Sequence, residues 1–214
     1  MKYKNKSFKI SCDGGAATGK STGAKLISKK YNLKFLSSGL LYRYAGYLLL
    51  NNNPNNEIAF LKKKFKNLKY NNLKKINLHT LKISEISSQI AKKSSIRSVL
   101  KKYQIDFAKR NKNCCIEGRD ISTKILPYSN VKFFFICNLN IAAKRRYKEL
   151  KKQNFKLNLK EVKKALRIRN LLDTKRKNSP LLKHSDSVVI DTGKLSKQAM
   201  LNKMSEHIER NLNN

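Results

Sequence analysis

Gly14-Gly15-Ala16-Ala17-Thr18-Gly19-Lys20-Ser21 packs the parts of an anion socket into one short run. Its glycines let successive backbone N–H groups turn toward a common point without a Cβ clash. An ammonium at Lys20 and a hydroxyl at Ser21 follow where a helix begins, so the free amides and dipole of a helix N-terminus add to the pull on negative charge. The spacing is that of G-x-x-x-x-G-K-[ST]. There the amides cradle the phosphates of a nucleoside triphosphate, the Lys reaches the β- and γ-phosphates, and the hydroxyl ligates Mg²⁺. Gly14, Gly15, Ala16, Ala17, Thr18, Gly19, Lys20, Ser21 and Thr22 are therefore expected to hold ATP, with Ser21 as the protein's ligand to Mg²⁺.

Such a loop works only between a strand and a helix. Phe8 to Cys12 alternates as a strand does, and Asp13-Gly14-Gly15 is a turn signal. A helix over about 20–30 follows, with Ala24, Leu26 and Ile27 apolar. Lys34-Phe35-Leu36 reads as a short strand, and 40–50 as an apolar helix with Ser38 near its start. Asn51 to Asn56, with Pro54, is a polar break. Residues 57–82 are rich in Lys and Asn, with weak periodicity and no strand pattern. Helical spacing returns at Ile83, Ile86 and Ile90, then at Ile96, Leu100, Tyr103 and Phe107. Cys114-Cys115-Ile116 is a short buried strand closed by Glu117-Gly118-Arg119-Asp120. Val131 to Cys137 has the continuous apolar run of a central parallel strand. Helices are expected over about 140–153, 158–172 and 195–212, with a strand at Val188-Val189-Ile190. Strands alternating with helices from end to end predict an α/β fold with a parallel sheet covered on both faces. The composition shift near 51–95 reads as an insertion into one domain.

A chain of 214 residues, 40% apolar and 29% charged with only three Pro and eight Gly, has the composition of a folded protein. The formal net charge of +36 invites a nucleic-acid or anionic-surface partner. The lysines are spread along the whole chain, however, and Asn and Ile are abundant too, so the charge reads first as a compositional bias combined with phosphate chemistry. Four Cys (Cys12, Cys114, Cys115, Cys137) lie in or beside apolar runs without metal spacing, and are expected as buried free thiols in a reducing cytoplasm. Three scattered His give no zinc pattern. No signal peptide is evident, and the run 40–50 is too short to span a bilayer.

Beyond the loop, five blocks in order resemble bacterial cytidylate kinase, a nucleoside monophosphate kinase family. They are Asp13 to Thr22, Leu36-Ser37-Ser38-Gly39-Leu40-Leu41-Tyr42-Arg43, Ser88-Gln89-Ile90-Ala91 with Arg97, Glu117-Gly118-Arg119-Asp120-Ile121, and Arg169 to Leu181. The resemblance implies a three-layer P-loop kinase fold: a five-stranded parallel sheet flanked by helices, with an inserted acceptor-binding lobe and a lid. The core is expected over about 7–50, 95–157 and 183–214, the insertion over about 51–94 and the lid over about 158–182. It also implies phosphoryl transfer from ATP to CMP and dCMP. On that resemblance Ser38, Arg43, Ser88, Arg97, Arg119, Asp120, Arg169, Asp173 and Arg176 bind CMP, and Lys20, Arg169 and Arg176 are catalytic. The chemistry is consistent with these roles. Asp120 is an acceptor for the cytosine amino group and would repel the uracil carbonyl, while Ser88 and Arg97 suit cytosine's acceptors. Arginines pair with phosphates through charge-assisted, bidentate bonds. Arg145 and Arg146 either reach the donor nucleotide or face water. Ser37 and Glu117 stand where the family usually has Asp, Ser122 where Gly is common, and Leu172 and Thr174 where the lid often has charged residues.

The expected mechanism is in-line transfer, with a closing lid that excludes water. The expected partners are ATP and CMP or dCMP, with no membrane and no dedicated nucleic acid. The protein is expected to be a cytoplasmic monomer. Two other readings stay open: another P-loop kinase, for UMP or a different small acceptor, and a non-catalytic, nucleotide-gated nucleic-acid binder.

Overall fold

A computed structural model describes residues 7–151 and 158–213. Five strands form one sheet: β1 (Phe8–Gly14), β2 (Lys34–Ser37), β3 (Asn113–Gly118), β4 (Val131–Ile136) and β5 (Val188–Asp191). Their order is β2-β3-β1-β4-β5, and β1 pairs in parallel with both β3 and β4. Parallel neighbours require crossovers, and helices supply them. These are α1 (Lys20–Lys30), α2 (Ser38–Asn52), α3 (Glu57–Lys66), α4 (Leu81–Ile90), α5 (Ser94–Arg110), α6 (Leu139–Lys151), α7 (Leu159–Lys175) and α8 (Lys197–Asn213). The expected five-stranded parallel sheet flanked by helices is thus observed. The expected helix end near residue 153 and the core boundary at 157 lie outside the described residues.

The chain divides into two compact units, Met1–Phe35 with Lys112–Asn214, and Leu36–Asn111. In the first, strand alternation decides which side chain meets which layer. Phe8, Ile10 and Cys12 of β1 are buried with Phe133 and Phe135 of β4, Ala24 and Ile27 of α1, and Met200, Met204 and Ile208 of α8. Burying each of these three phenylalanines is worth about 1.5–3 kcal/mol. The alternate residues of β1, Ser11 and Asp13, are also fully buried but face the other way. There Ser129 Oγ donates to Ser11 Oγ at 2.9 Å, and a π-helical turn at Ile121–Ile125 packs on β1.

Apart from the end of β2, the regular elements of the second unit are all helices. The unit contains the composition shift near 51–95 and takes in α2 and α5 as well. The Lys- and Asn-rich stretch forms α3 and a 3₁₀ segment at Tyr70–Lys75. Asn56 caps α3 by accepting from the Ala59 N–H at 3.0 Å, Glu57 opens its first turn, and lysines close its last. Leu61 and Phe65 anchor it, and the Phe65 ring meets Tyr103 of α5 edge-on at 5.6 Å.

Three of the four cysteines, Cys12, Cys114 and Cys115, are buried free thiols, and Cys137 is half-buried. Cys12 and Cys115 touch, sulfur to sulfur, at 3.8 Å. Burial, and then that contact, push the Cys12 thiol well up, so it stays protonated.

Candidate active site

β1 delivers the chain to Gly14, where a Cβ would lie 2.5 Å from the Phe135 carbonyl oxygen, so only glycine passes. Ala17 and Gly19 then adopt left-handed backbone, φ 56° and 79°. For Ala17 this is a strained choice, of the kind that persists only where the surroundings impose it. The loop is braced from inside. Thr18 Oγ1 donates to the Gly15 carbonyl at 3.0 Å, and Lys20 Nζ to the same oxygen at 3.3 Å. It is also braced from beneath, where Thr192 Oγ1 donates to the Thr18 carbonyl at 2.8 Å. Arg145 in turn holds Thr192 through its hydroxyl, 2.8 Å, and its carbonyl, 2.7 Å. Arg145 is therefore tied to the floor of the loop and does not simply face water, whereas Arg146 pairs with Glu149 at 3.0 Å.

Lys20 and Ser21, on the first turn of α1, meet one carboxylate. Glu117, at the end of β3, accepts from Ser21 Oγ at 3.0 Å and lies 3.7 Å from Lys20 Nζ. The extra methylene of Glu over Asp is what the sequence flagged at this position, and here the carboxylate reaches both residues. Burial, and then the nearby Arg119 guanidinium, lower the Lys20 pKa to about 8, although Glu117 works the other way.

Four of the expected acceptor residues come together beside this loop. Arg119 Nε donates to Asp173 Oδ2 at 2.7 Å. Arg176, the C-cap of α7, lies 3.5 Å from Asp173 and 3.8 Å from Asp120. Burial alone would raise the Asp173 pKa, but Arg119, and then Arg169 and Arg176, hold it below the usual carboxylate range. Arg169 lies one residue before Asn170 on α7, and its charge is felt by both Lys20 and Asp173.

The other expected acceptor residues belong to the second unit. Ser38 is buried at the start of α2, which is capped by Ser37 accepting from the Leu40 N–H at 3.3 Å. Arg43 Nη1 donates to the Leu78 carbonyl at 3.3 Å and lies 2.7 Å from His79 Nδ1. Arg97 is buried on α5, bonded to the Ala91 carbonyl at 3.3 Å and stacked over the Tyr42 ring at 5.6 Å. Ser88 is half-buried on α4.

Three residues of the first unit were given no site role by the sequence reading. Asn170 of α7 accepts from the Ala16 N–H at 3.0 Å, taking one of the amides expected to face phosphate. Thr192 braces the loop floor, as described. Asp13 accepts from the Ile121 N–H at 2.8 Å, the Ser122 N–H at 2.7 Å and Ser122 Oγ at 2.6 Å. Burial raises the Asp13 pKa to about 6 even though those bonds favour the anion. The only signals for them in the sequence were proximity to Arg169, to β5 and to Gly14.

A strained, glycine-hinged loop at the end of a central parallel strand, with a buried lysine at the start of the next helix, defines a P-loop phosphotransferase. A family model described as cytidylate kinase matches residues 10–210. The cytidylate kinases of Rickettsia africae (strain ESF-5) and Rickettsia conorii (strain ATCC VR-613 / Malish 7) are each 34% identical over 209 residues, covering 97% of this chain and 94% of their own length. An uncharacterized protein from Eubacterium ventriosum ATCC 27560 has a similar fold, with TM-score 0.57 at 14% identity over 94% of this chain and 98% of that one. So does TT1252 from Thermus thermophilus, with TM-score 0.53 at 14% identity over 96% and 98%. The chain belongs to the cytidylate kinase family.

Proposed function

We propose that this protein transfers the γ-phosphoryl group of ATP to CMP and dCMP. The observation that carries the reading is the buried Lys20 at the mouth of a loop whose backbone is turned inward at Ala17 and Gly19. Amides 15–20 and the Lys20 ammonium would hold the triphosphate. Ser21 Oγ and, beside it, Glu117 are hard oxygen donors that fit Mg²⁺. Among the described residues no three His, Cys, Asp or Glu cluster, so phosphates and water would complete the ion's shell. Bound there, Mg²⁺ supplies charge neutralisation at the β- and γ-phosphates.

The acceptor phosphate is already anionic at neutral pH and attacks in line without a general base. Arg169 and Arg176, near the end of α7, stabilise the charge spread over the transferred group. Arg119 and Asp173 hold that helix end in place through their 2.7 Å bond. In the second unit, Ser38 and Arg43 are assigned to the acceptor's phosphate and sugar, and Ser88 and Arg97 to cytosine's acceptor edge. In the first unit, Asp120 is assigned to accept a hydrogen bond from the cytosine amino group, and Asp173 to bind the ribose. Residues 158–182 act as the lid. The proposal includes a monomeric, cytoplasmic enzyme; no helix among the described residues is long and apolar enough to cross a membrane.

The test is ADP release measured across CMP, dCMP, UMP, AMP and GMP, with Lys20→Ala alongside. CMP and dCMP are expected to turn over best, and Lys20→Ala to lose about 10²–10³-fold in kcat. Equal turnover of UMP and CMP would remove the cytosine assignment. Salt-steep RNA binding with no kinase activity would replace the reading altogether.

A further inference from the structure

Asp13 is fully buried, and the mechanism gives it no task. A carboxylate in that setting is costly unless its hydrogen bonds repay the lost hydration. The three hydrogen bonds that its carboxylate accepts come from one place, the backbone and hydroxyl of Ile121 and Ser122, more than a hundred residues away in sequence. That segment begins one residue after Asp120.

The two ends of this contact are not equally mobile. Asp13 lies on the central strand and is paired on both sides, opposite Gly118 of β3 and Phe134 of β4. Its own backbone cannot shift without breaking the sheet. Residues 119–122 lie beyond the last paired residue of β3, where the chain leaves the ladder and Asp120 takes an irregular conformation, φ −138° and ψ 27°. Asp13 is therefore the anchor, and the Arg119–Ser122 segment is what it anchors. Arg119 and Asp120 carry the ion pairs to Asp173 and Arg176, so a shift in this segment would move four acceptor-side groups together.

We propose that Asp13 is a positioning residue for acceptor recognition, holding Asp120 at the height where it meets the base while the adjoining phosphate loop stays fixed by the sheet. Ser122 completes the clamp with its hydroxyl. This rests on the CMP-kinase reading and extends it to a residue that touches no nucleotide.

The prediction is a split between the two substrates. Asp13→Asn keeps the shape but presents an amide N–H₂ toward one set of donors. It is expected to raise KM for CMP about tenfold, the cost of losing one or two buried bonds. KM for ATP should change by less than about threefold, and discrimination against UMP should fall. Ser122→Ala removes only the hydroxyl bond, so it should shift the same parameters in the same direction by about threefold. Should Asp13→Asn fold poorly, Ser122→Ala decides alone. Equal shifts in both KM values, or a fall in kcat with neither KM changed, would overturn the positioning role. A wild-type protein that binds ATP yet phosphorylates no pyrimidine monophosphate would overturn the acceptor reading, and the positioning role with it. If CMP turns over and the variants' CMP parameters are unmoved, only the positioning role fails.

Discussion

At the scale of single residues, the balance of charge around Lys20 sets how the site responds to pH. Burial and Arg119 lower its pKa to about 8, so near that pH the side chain is part neutral before nucleotide arrives. A triphosphate stabilises the ammonium, so ATP binding near pH 8 is expected to take up a proton, and affinity to fall as pH rises beyond it. Calorimetry at pH 8 in buffers of different ionisation enthalpy checks this, and identical heats in Tris and phosphate would refute it. The effect on stability has the opposite slope. Between about 8 and the unfolded value near 10.4 the folded chain binds fewer protons than the unfolded one, so this group's contribution to stability rises with pH there. Glu117 shows why residue identity matters at this spot. From the end of β3 it reaches the Ser21 hydroxyl at 3.0 Å and lies 3.7 Å from Lys20.

At the scale of elements, α7 bonds to the loop and to Arg119 and Asp120 with one side and packs with the other. Val162 and Leu166 are buried against Ala142, Ala143 and Leu150 of α6. Its N-terminus is closed by a reciprocal cap: Asn158 accepts from the Glu161 N–H at 2.8 Å, and Glu161 accepts from the Asn158 N–H at 2.9 Å. Its later turns turn Asn170 to the Ala16 amide, Asp173 to Arg119 and Arg176 to Asp120. Asn170 therefore occupies a loop amide that the proposed triphosphate would use. Asn170→Ala is expected to tighten ATP binding by about twofold to fivefold, less than a full hydrogen bond because water replaces the lost oxygen. Titration calorimetry of the variant measures it, and weaker binding would instead make Asn170 a support for the loop.

At the scale of the whole molecule, the dominant feature is the net charge of +36. Both substrates are anions, and a field of this size speeds their encounter at low ionic strength. Salt shortens its reach from about 30 Å at 0.01 M to about 3 Å at 1 M. kcat/KM for CMP is therefore expected to fall several-fold between those limits while kcat changes little, which steady-state kinetics over a salt series would check. A kcat that falls in parallel would point to a direct effect of salt on the site. Acids are few, 13 in all, and four of them, Asp13, Glu117, Asp120 and Asp173, lie at the end of β1 and in the segments bonded to the loop, to Arg119 and to Arg176.

Sequence alone determined what depends on near neighbours. The phosphate loop, α1 at 20–30 and the apolar strand from Val131 were legible because amide geometry, helical spacing and strand burial are set within a few residues. Residues 57–82 were not, since their helices rest on isolated caps at Asn56 and Thr80 and on rings such as Phe65, which meets Tyr103 only in the folded unit. The strand order was equally hidden, because a parallel ladder pairs segments a hundred residues apart. Only the tertiary structure could join Asp13 to Ser122, Asn170 to Ala16 and Arg145 to Thr192. Each is a bond between groups whose separation along the chain carries no information about their separation in space, and burial, complete at Asp13 and Ser122 and partial at the other two, gives each bond its weight.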